Sequence, residues 1–355
     1  MLFIGTVMLA LLLGPAGDGW AATRTWTGGG TDNNWSTAAN WGGTAPVSND
    51  TLVFPGGAAR LSNNNDIIAG TTFISITISG SGYTLSGNAV TLGGTLTDST
   101  ASGSSTIALP ITLSANRTVT VTNVAETLTI SGSISGAGAF IKTGNGMLIL
   151  SGANVNTGTT TVNAGVLRLA GGNAIADTAT VTLANTAGVL LDLNGTSETI
   201  GRLTGGGANG GNITLGAGTL TLGGATTATF AGVITGTGGI VKRGASIEVL
   251  TGVNTYTGTT TVNAGTLRLG ALNTIASSSG VIMANVAGAV LNLTASQTVS
   301  SLSGGGTTGG NVTLGGNTLT IGDAASATYS GVISGAGGKI VKQGTGTLSL
   351  TGVNT

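Results

Sequence analysis

From residue 65 onward, apolar and polar residues alternate in short runs. Examples are TFISITIS from Thr72 to Ser79, TVTVTNV from Thr118 to Val124, GMLILSG from Gly146 to Gly152 and NITLGAGTLTLGG from Asn212 to Gly224. A period of two built from Thr, Val, Ile and Leu predicts strands with one inward and one outward face. Gly, Asn and Ser interrupt these runs about every eight to ten residues and predict turns. No stretch past residue 65 shows a 3.6-residue apolar period or a capping box ahead of an apolar run, so no helix is expected there.

A longer period overlies the short one. TGTTTVNAGVLRL, from Thr157 to Leu169, returns as TGTTTVNAGTLRL, from Thr257 to Leu269, 100 residues later with only Val166 replaced by Thr266. SGSISGAG at Ser131, AGVITGTG at Ala231 and SGVISGAG at Ser330 open three copies. The expected division is a leader over 1–22, a Trp-containing N-terminal cap over 23–64 and first coils over 65–130. Repeat modules then follow over 131–230 and 231–329, with an incomplete third over 330–355. A module of roughly ten short strands makes about five coils of some twenty residues, each too small to bury its own apolar face, and stacking the coils solves this. The fold expected is all-β, a right-handed parallel β-helix closed by the cap. A row of sandwich domains is the rival; the turns are too frequent for it, and no residue marks a domain's centre.

Composition narrows the chemistry. Gly occurs 66 times in 355 residues and only 6% of residues are charged, yet 40% are apolar and mean hydropathy is +0.42. That apolar content supports a folded interior rather than disorder. Net charge is zero, from 11 basic and 11 acidic residues, with no basic tract to serve nucleic acid. Cysteine and histidine are both absent, which excludes disulfides, thiolate metal sites and the usual proton carrier. No cofactor is expected. The apolar run Leu2–Leu13, followed by Gly19-Trp20-Ala21, reads as an export signal cleaved after Ala21 or Ala22, although no basic residue precedes it. The expected location is extracellular or at the cell surface.

The segments Gly138–Leu169 and Gly238–Leu269 resemble the autotransporter-associated β-strand repeat, also called the passenger-associated transport repeat. Lys142, Gly144, Gly146, Leu148, Leu150, Gly152, Asn154, Gly158, Thr160, Val162, Gly165 and Leu167 carry the resemblance in the first copy. Lys242, Gly244, Gly252, Asn254, Tyr256, Gly258, Thr260, Val262, Gly265 and Leu267 carry it in the second. Asn156 stands where the pattern has Tyr256, and Glu248 stands where the other copies have Leu148 and Leu348. The resemblance implies a secreted or surface-displayed β-helical passenger, adhesin-like, associated with the outer membrane. Its repeats would assist translocation, so outer-membrane machinery is a partner by this resemblance alone; no barrel translocator is seen in the sequence. Surface glycans or proteins of a host or neighbouring cell are the other partners expected.

Candidate chemistry is sparse. Trp26, Trp35 and Trp41 lie in WTGGGTDNNWSTAANW and read either as a sugar-stacking cluster or as the cap that closes the first coil. Lys142, Lys242, Lys342, Arg168 and Arg268 read as solvated charges. Enzymatic β-helices need carboxylates close together, and the best cluster here is Asp192, Glu198 and Arg202. Its two acids become Asn292 and Gln297 in the next copy, so no catalytic residue is expected. A carbohydrate-binding or polysaccharide-cleaving β-helix is the alternative reading. Finally, Glu248 at an inward position predicts a one-residue register slip that would turn Ile247 and Val249 in and Glu248 out.

Overall fold

The computed structural model describes residues 21–322 and 325–355; the leader expected over 1–22 falls almost wholly outside them. The chain is a parallel β-solenoid of about fourteen turns. Each turn lays strands on up to three faces in a fixed order. Face one is a single 15-stranded sheet running from Thr23–Thr25 to Ile333–Ser334. Face two is a nine-stranded sheet from Ser62–Asn65 to Ile234–Thr235, taken up again by three strands from Gln297–Val299 onward. Face three is a four-stranded sheet from Thr71–Phe73 to Ile134–Ser135, taken up again by eight strands from Glu198–Ile200 onward. Every strand pairing is parallel, and the only helical segment among the described residues is one short turn, Ala38–Trp41.

The period-two pattern explains the core. Leu148 and Leu150 are stacked between Leu128 and Ile130 of the coil before and Leu167 and Leu169 of the coil after, all buried. Outward positions stack likewise. On face one, Thr118, Ile141, Thr161, Thr182 and Thr204 are neighbours in successive coils. The corners demand glycine. Gly144 has φ +74, and a Cβ there would lie 2.2 Å from Val121 O of the coil before it.

Stacking reaches into the segment expected as a cap. Thr23–Thr25 lies parallel on Thr51–Phe54, which lies on Ser75–Ile78. Trp26, Trp35 and Trp41 are buried with Phe54, Phe73 and Tyr83 in edge-on ring contacts 5.1 to 5.8 Å apart. Their indole N–H groups donate to Arg60 O, to Asn63 Oδ1 and to Trp35 O, respectively. The sugar-stacking expectation therefore fails: no ring face and no indole donor is left for a ligand.

The modules are not a whole number of coils. Phe140–Thr143 lies on face one, and its counterpart Ile240–Lys242 lies on face three, four coils and two faces further on. The third counterpart, Lys339–Gln343, lies on face two, again four coils and two faces on. Three copies of the same words thus occupy three different faces.

Candidate functional site

The repeated lysines are inside. Lys142 and Lys242 are fully buried, which corrects the expectation of solvated charges. Each follows the strict alternation of its strand, and its ammonium finds a cage of carbonyls at the next corner. Lys142 Nζ donates to Thr143 O, Gly144 O and Ala164 O at 2.8, 2.7 and 3.1 Å. Lys242 Nζ repeats this with Arg243 O, Gly244 O and Ala264 O. Burial pushes the Lys142 ammonium down to about 8 and lowers that of Lys242. Three acceptors are what an ammonium needs when it leaves water, so these lysines tie one coil's corner to the next. Lys342 makes the same kind of bonds, to Gln343 O and Gly344 O, but is exposed.

The asparagines do the same with neutral groups. Asn154 Oδ1 accepts from Ile134 N, and its Nδ2 donates to Ala174 O; Asn254 bridges Ile234 N and Thr274 O. Thr160, Thr260, Val162 and Val262 point inward and are buried. Gly152, Gly158 and Gly165, like Gly252, Gly258 and Gly265, bring the backbone within 2.0 to 2.5 Å of a would-be Cβ, where no side chain fits. The repeat's residues are consumed in joining coils.

Glu248 does not slip outward. It is buried at 2% exposure, between Ala228 of the preceding coil and Leu267 of the next. The register is held by the same strand's Leu250, stacked between Phe230 and Leu269; a slip would expose Leu250. Small Ala228 leaves room for the carboxyl. Burial pushes it up to about 8, against the pull of Lys242 and Arg202, and Oε1 has no hydrogen-bond partner.

The acids that form the best cluster in the sequence, Asp192 and Glu198, are not brought together with Arg202. Asp192 lies on face two, where Oδ2 accepts from Arg168 Nε at 2.8 Å. Glu198 opens a strand of face three and accepts from Ala174 N and Ile175 N, and burial pushes it up to about 7. Arg202 lies on face one and donates to Thr227 O. Three residues on three faces have no common reacting point. In the second copy, Asn292 accepts from Arg268 Nε and Gln297 accepts from Thr274 N, so amides take over the same bonds. Arg168 is only partly exposed and sits outward, as expected.

Two features escaped the sequence reading. The first is a cleft. Face three lacks strands between Ile134–Ser135 and Glu198–Ile200, where the repeat segments 151–159 and 170–179 pass with single backbone hydrogen bonds but form no strand. Here a cavity of about 430 Å³ opens between Asn154, Val155, Thr157, Ile175, Asp177 and Thr178. A second cavity, of about 460 Å³, shares Asp177 and Thr178 and continues to Gly223 and Arg243. The second feature is a buried acid pair, Asp98 and Glu126, both fully inside. Alternation was the missed signal for the acids: Leu96-x-Asp98 and Glu126-x-Leu128 place them inward, as Phe140-x-Lys142 does the lysine.

Comparison with known proteins agrees with this geometry. Residues 140–169, 240–269 and 340–355 match the passenger-associated-transport-repeat family. Over 170 residues, 47% of the chain, the sequence is 39% identical to the adhesin BmaC autotransporter of Brucella suis biovar 1 (strain 1330); the match spans 5% of that protein's length. No solved structure matches. The buried lysine, the bridging asparagine and the corner glycines return together in the two complete matched copies, so these segments of the chain are built as passenger-associated transport repeats.

Proposed function

We propose that this chain is part of an exported, surface-displayed passenger that works as an adhesin-like scaffold and not as an enzyme. The observation that carries this reading is where the charged side chains go. Lys142, Lys242, Glu248 and the pair Asp98 and Glu126 are spent inside the stack, and Asp192 and Glu198 lie on separate faces. What is left outside is a long, nearly neutral surface of Thr rows, broken by the cleft around Asp177. Such a surface suits extended contact with glycans or proteins of another cell, and the cleft is the natural place for a specific one. Coil-by-coil stacking also suits export, because each coil needs only its predecessor as a template. That supports a role of the repeats in translocation.

Beads coated with the purified chain test the reading. They should attach to cell surfaces more than albumin-coated beads do, and Asp177→Asn should weaken the attachment. Prior glycosidase or protease treatment of the cells separates a glycan from a protein receptor. Attachment no better than albumin would remove the adhesive role. Polysaccharide turnover abolished by Asp192→Ala or Glu198→Ala would move the chain to the enzymatic β-helices instead.

A further inference from the structure

Asp98 ends the face-one strand Leu96–Asp98, and Glu126 begins the face-two strand Glu126–Ile130 of the following coil. Both point inward, both are fully buried, and their carboxyl groups are in direct contact. Glu126 pairs with Gly103, which has no side chain to block it; a Cβ there would lie 4.0 Å from Glu126 Oε2. One oxygen of the four is satisfied. Asp98 Oδ1 accepts from the Thr100 hydroxyl at 2.6 Å and from Thr100 N at 3.2 Å. Asp98 Oδ2, Glu126 Oε1 and Glu126 Oε2 have no donor.

Nothing packed around the pair neutralises it. The strands Ser75–Ile78, Gly103–Ile107 and Met147–Leu150 carry no titratable group. Arg117 begins the adjoining Arg117–Val121, but its guanidinium donates to Leu92 O, Asn116 O and Ser114 Oγ. Lys142, on the next strand of face one, gives its ammonium to Thr143, Gly144 and Ala164. Tyr83, beside the strand Thr84–Gly87, donates to Pro55 O. Two ionised carboxylates in contact inside an apolar core would each carry a large desolvation cost as well as their mutual repulsion. A single proton removes most of both, since it neutralises one group and supplies a donor to the other.

We infer that Asp98 and Glu126 hold one proton between them, a buried proton-binding site that keeps this corner closed in acid and lets the coils between Leu96 and Ile130 open as the pH rises. Burial raises both groups against the pull of the Thr100 hydroxyl, and repulsion from Asp98 adds to the rise on Glu126. The closed form therefore binds more protons than the opened one. Its advantage is complete below the ordinary carboxylate range and is lost as pH rises through the pair's own titration.

Native-state hydrogen exchange on the full chain reads this locally. Between about pH 5 and pH 9, and after correction for intrinsic exchange, the opening constant of amides in 96–130 should rise by up to about tenfold per pH unit for one linked proton. Amides in 302–313, which hold no titratable group and lie many coils away, serve as the reference and should stay flat. Asp98→Asn supplies a permanent donor to Glu126 and should flatten the dependence, as should Glu126→Gln. No excess rise in 96–130 over 302–313, or an equal rise in the folded variants, would overturn the proposal. So would slower exchange in 96–130 on adding calcium chloride to the wild-type chain, which would show a cation between the carboxylates. If neither variant folds, the comparison of regions and the calcium measurement on the wild-type chain still decide.

Discussion

The two complete modules, 131–230 and 231–329, solve the same packing problem with different chemistry. Glu198 in the first accepts backbone hydrogens from Ala174 and Ile175; in the second, Gln297 accepts from Thr274. Arg168 meets Asp192, whereas Arg268 meets Asn292. Inward Leu148 becomes inward Glu248, and inward Asn156 becomes inward Tyr256. What passes from copy to copy is the placement of donors, acceptors and volume. Fully buried charge is retained only where the ammonium of Lys142 and Lys242 has three carbonyls to serve. A solenoid coil has neighbours above and below, so a side chain is judged by the bonds it closes there.

The largest effect should come from breaking what the modules share. Lys142→Met and Lys242→Met each strand three carbonyls among apolar neighbours, and each should cost about 3 kcal/mol in chemical denaturation. Lys342→Met, at an exposed copy of the site, should stay within about 0.5 kcal/mol. Equal losses at all three would mean that the carbonyl cage is irrelevant.

Next comes the residue that separates the modules most. Glu248→Leu should raise stability by about 2–4 kcal/mol at pH 8 and above, as a buried carboxyl gives way to the Leu found in the other copies. The sign with pH follows from its titration near 8 in the fold, against about 4.3 unfolded. The wild type loses stability as pH rises between those values, so the variant's gain should shrink toward pH 4. A gain independent of pH would point to shape alone.

A smaller gain should follow from making the first module like the second. Tyr256 is buried, and its hydroxyl pairs with Thr260 Oγ1 at 2.6 Å; Asn156 leaves Nδ2 without a partner. Asn156→Tyr has Thr160 waiting at the matching position, and should add about 1 kcal/mol by thermal melting. Smallest of all, Arg168→Ala and Arg268→Ala should each cost under about 1 kcal/mol, because both arginines lie on the partly exposed outer face. A much larger loss at Arg168 would give the ion pair with Asp192 a role that the amide of Asn292 does not fill.

Much of the fold was legible. Alternation located the strands, glycine and asparagine located the corners, and the hundred-residue echo required stacking. The misreadings share one cause, which is that charge was allowed to overrule alternation. In Phe140-Ile141-Lys142 the period places the lysine inside, and the carbonyls that receive it come from a corner formed partly by Ala164, 22 residues away. A sequence read along its length does not show that neighbour. Glu248 was turned outward for the same reason, while Phe230 and Leu269, in the coils on either side, hold Leu250 in and so fix the register. The cleft was invisible because it arises from strands that fail to form on one face only, and assigning a face requires counting every coil before it.

That count has a consequence for how the rod meets its surroundings. Each module advances the chain by four coils and two faces, so a given segment reappears a third of a turn away from its last position. Three modules, fourteen coils, return it to the same side, on the order of 67 Å along the axis at ~4.8 Å per coil. Viewed from one direction, the rod shows a given epitope only at that spacing. Viewed end-on, it shows the epitope in three directions. A flat array of receptors lying along one side cannot engage successive copies, and the avidity that closely spaced repeats would otherwise confer is lost. Receptors arriving from different sides can each find a copy. For the adhesive role proposed above, this geometry favours a bristle that bridges neighbours around it over a strap that lies down on one surface.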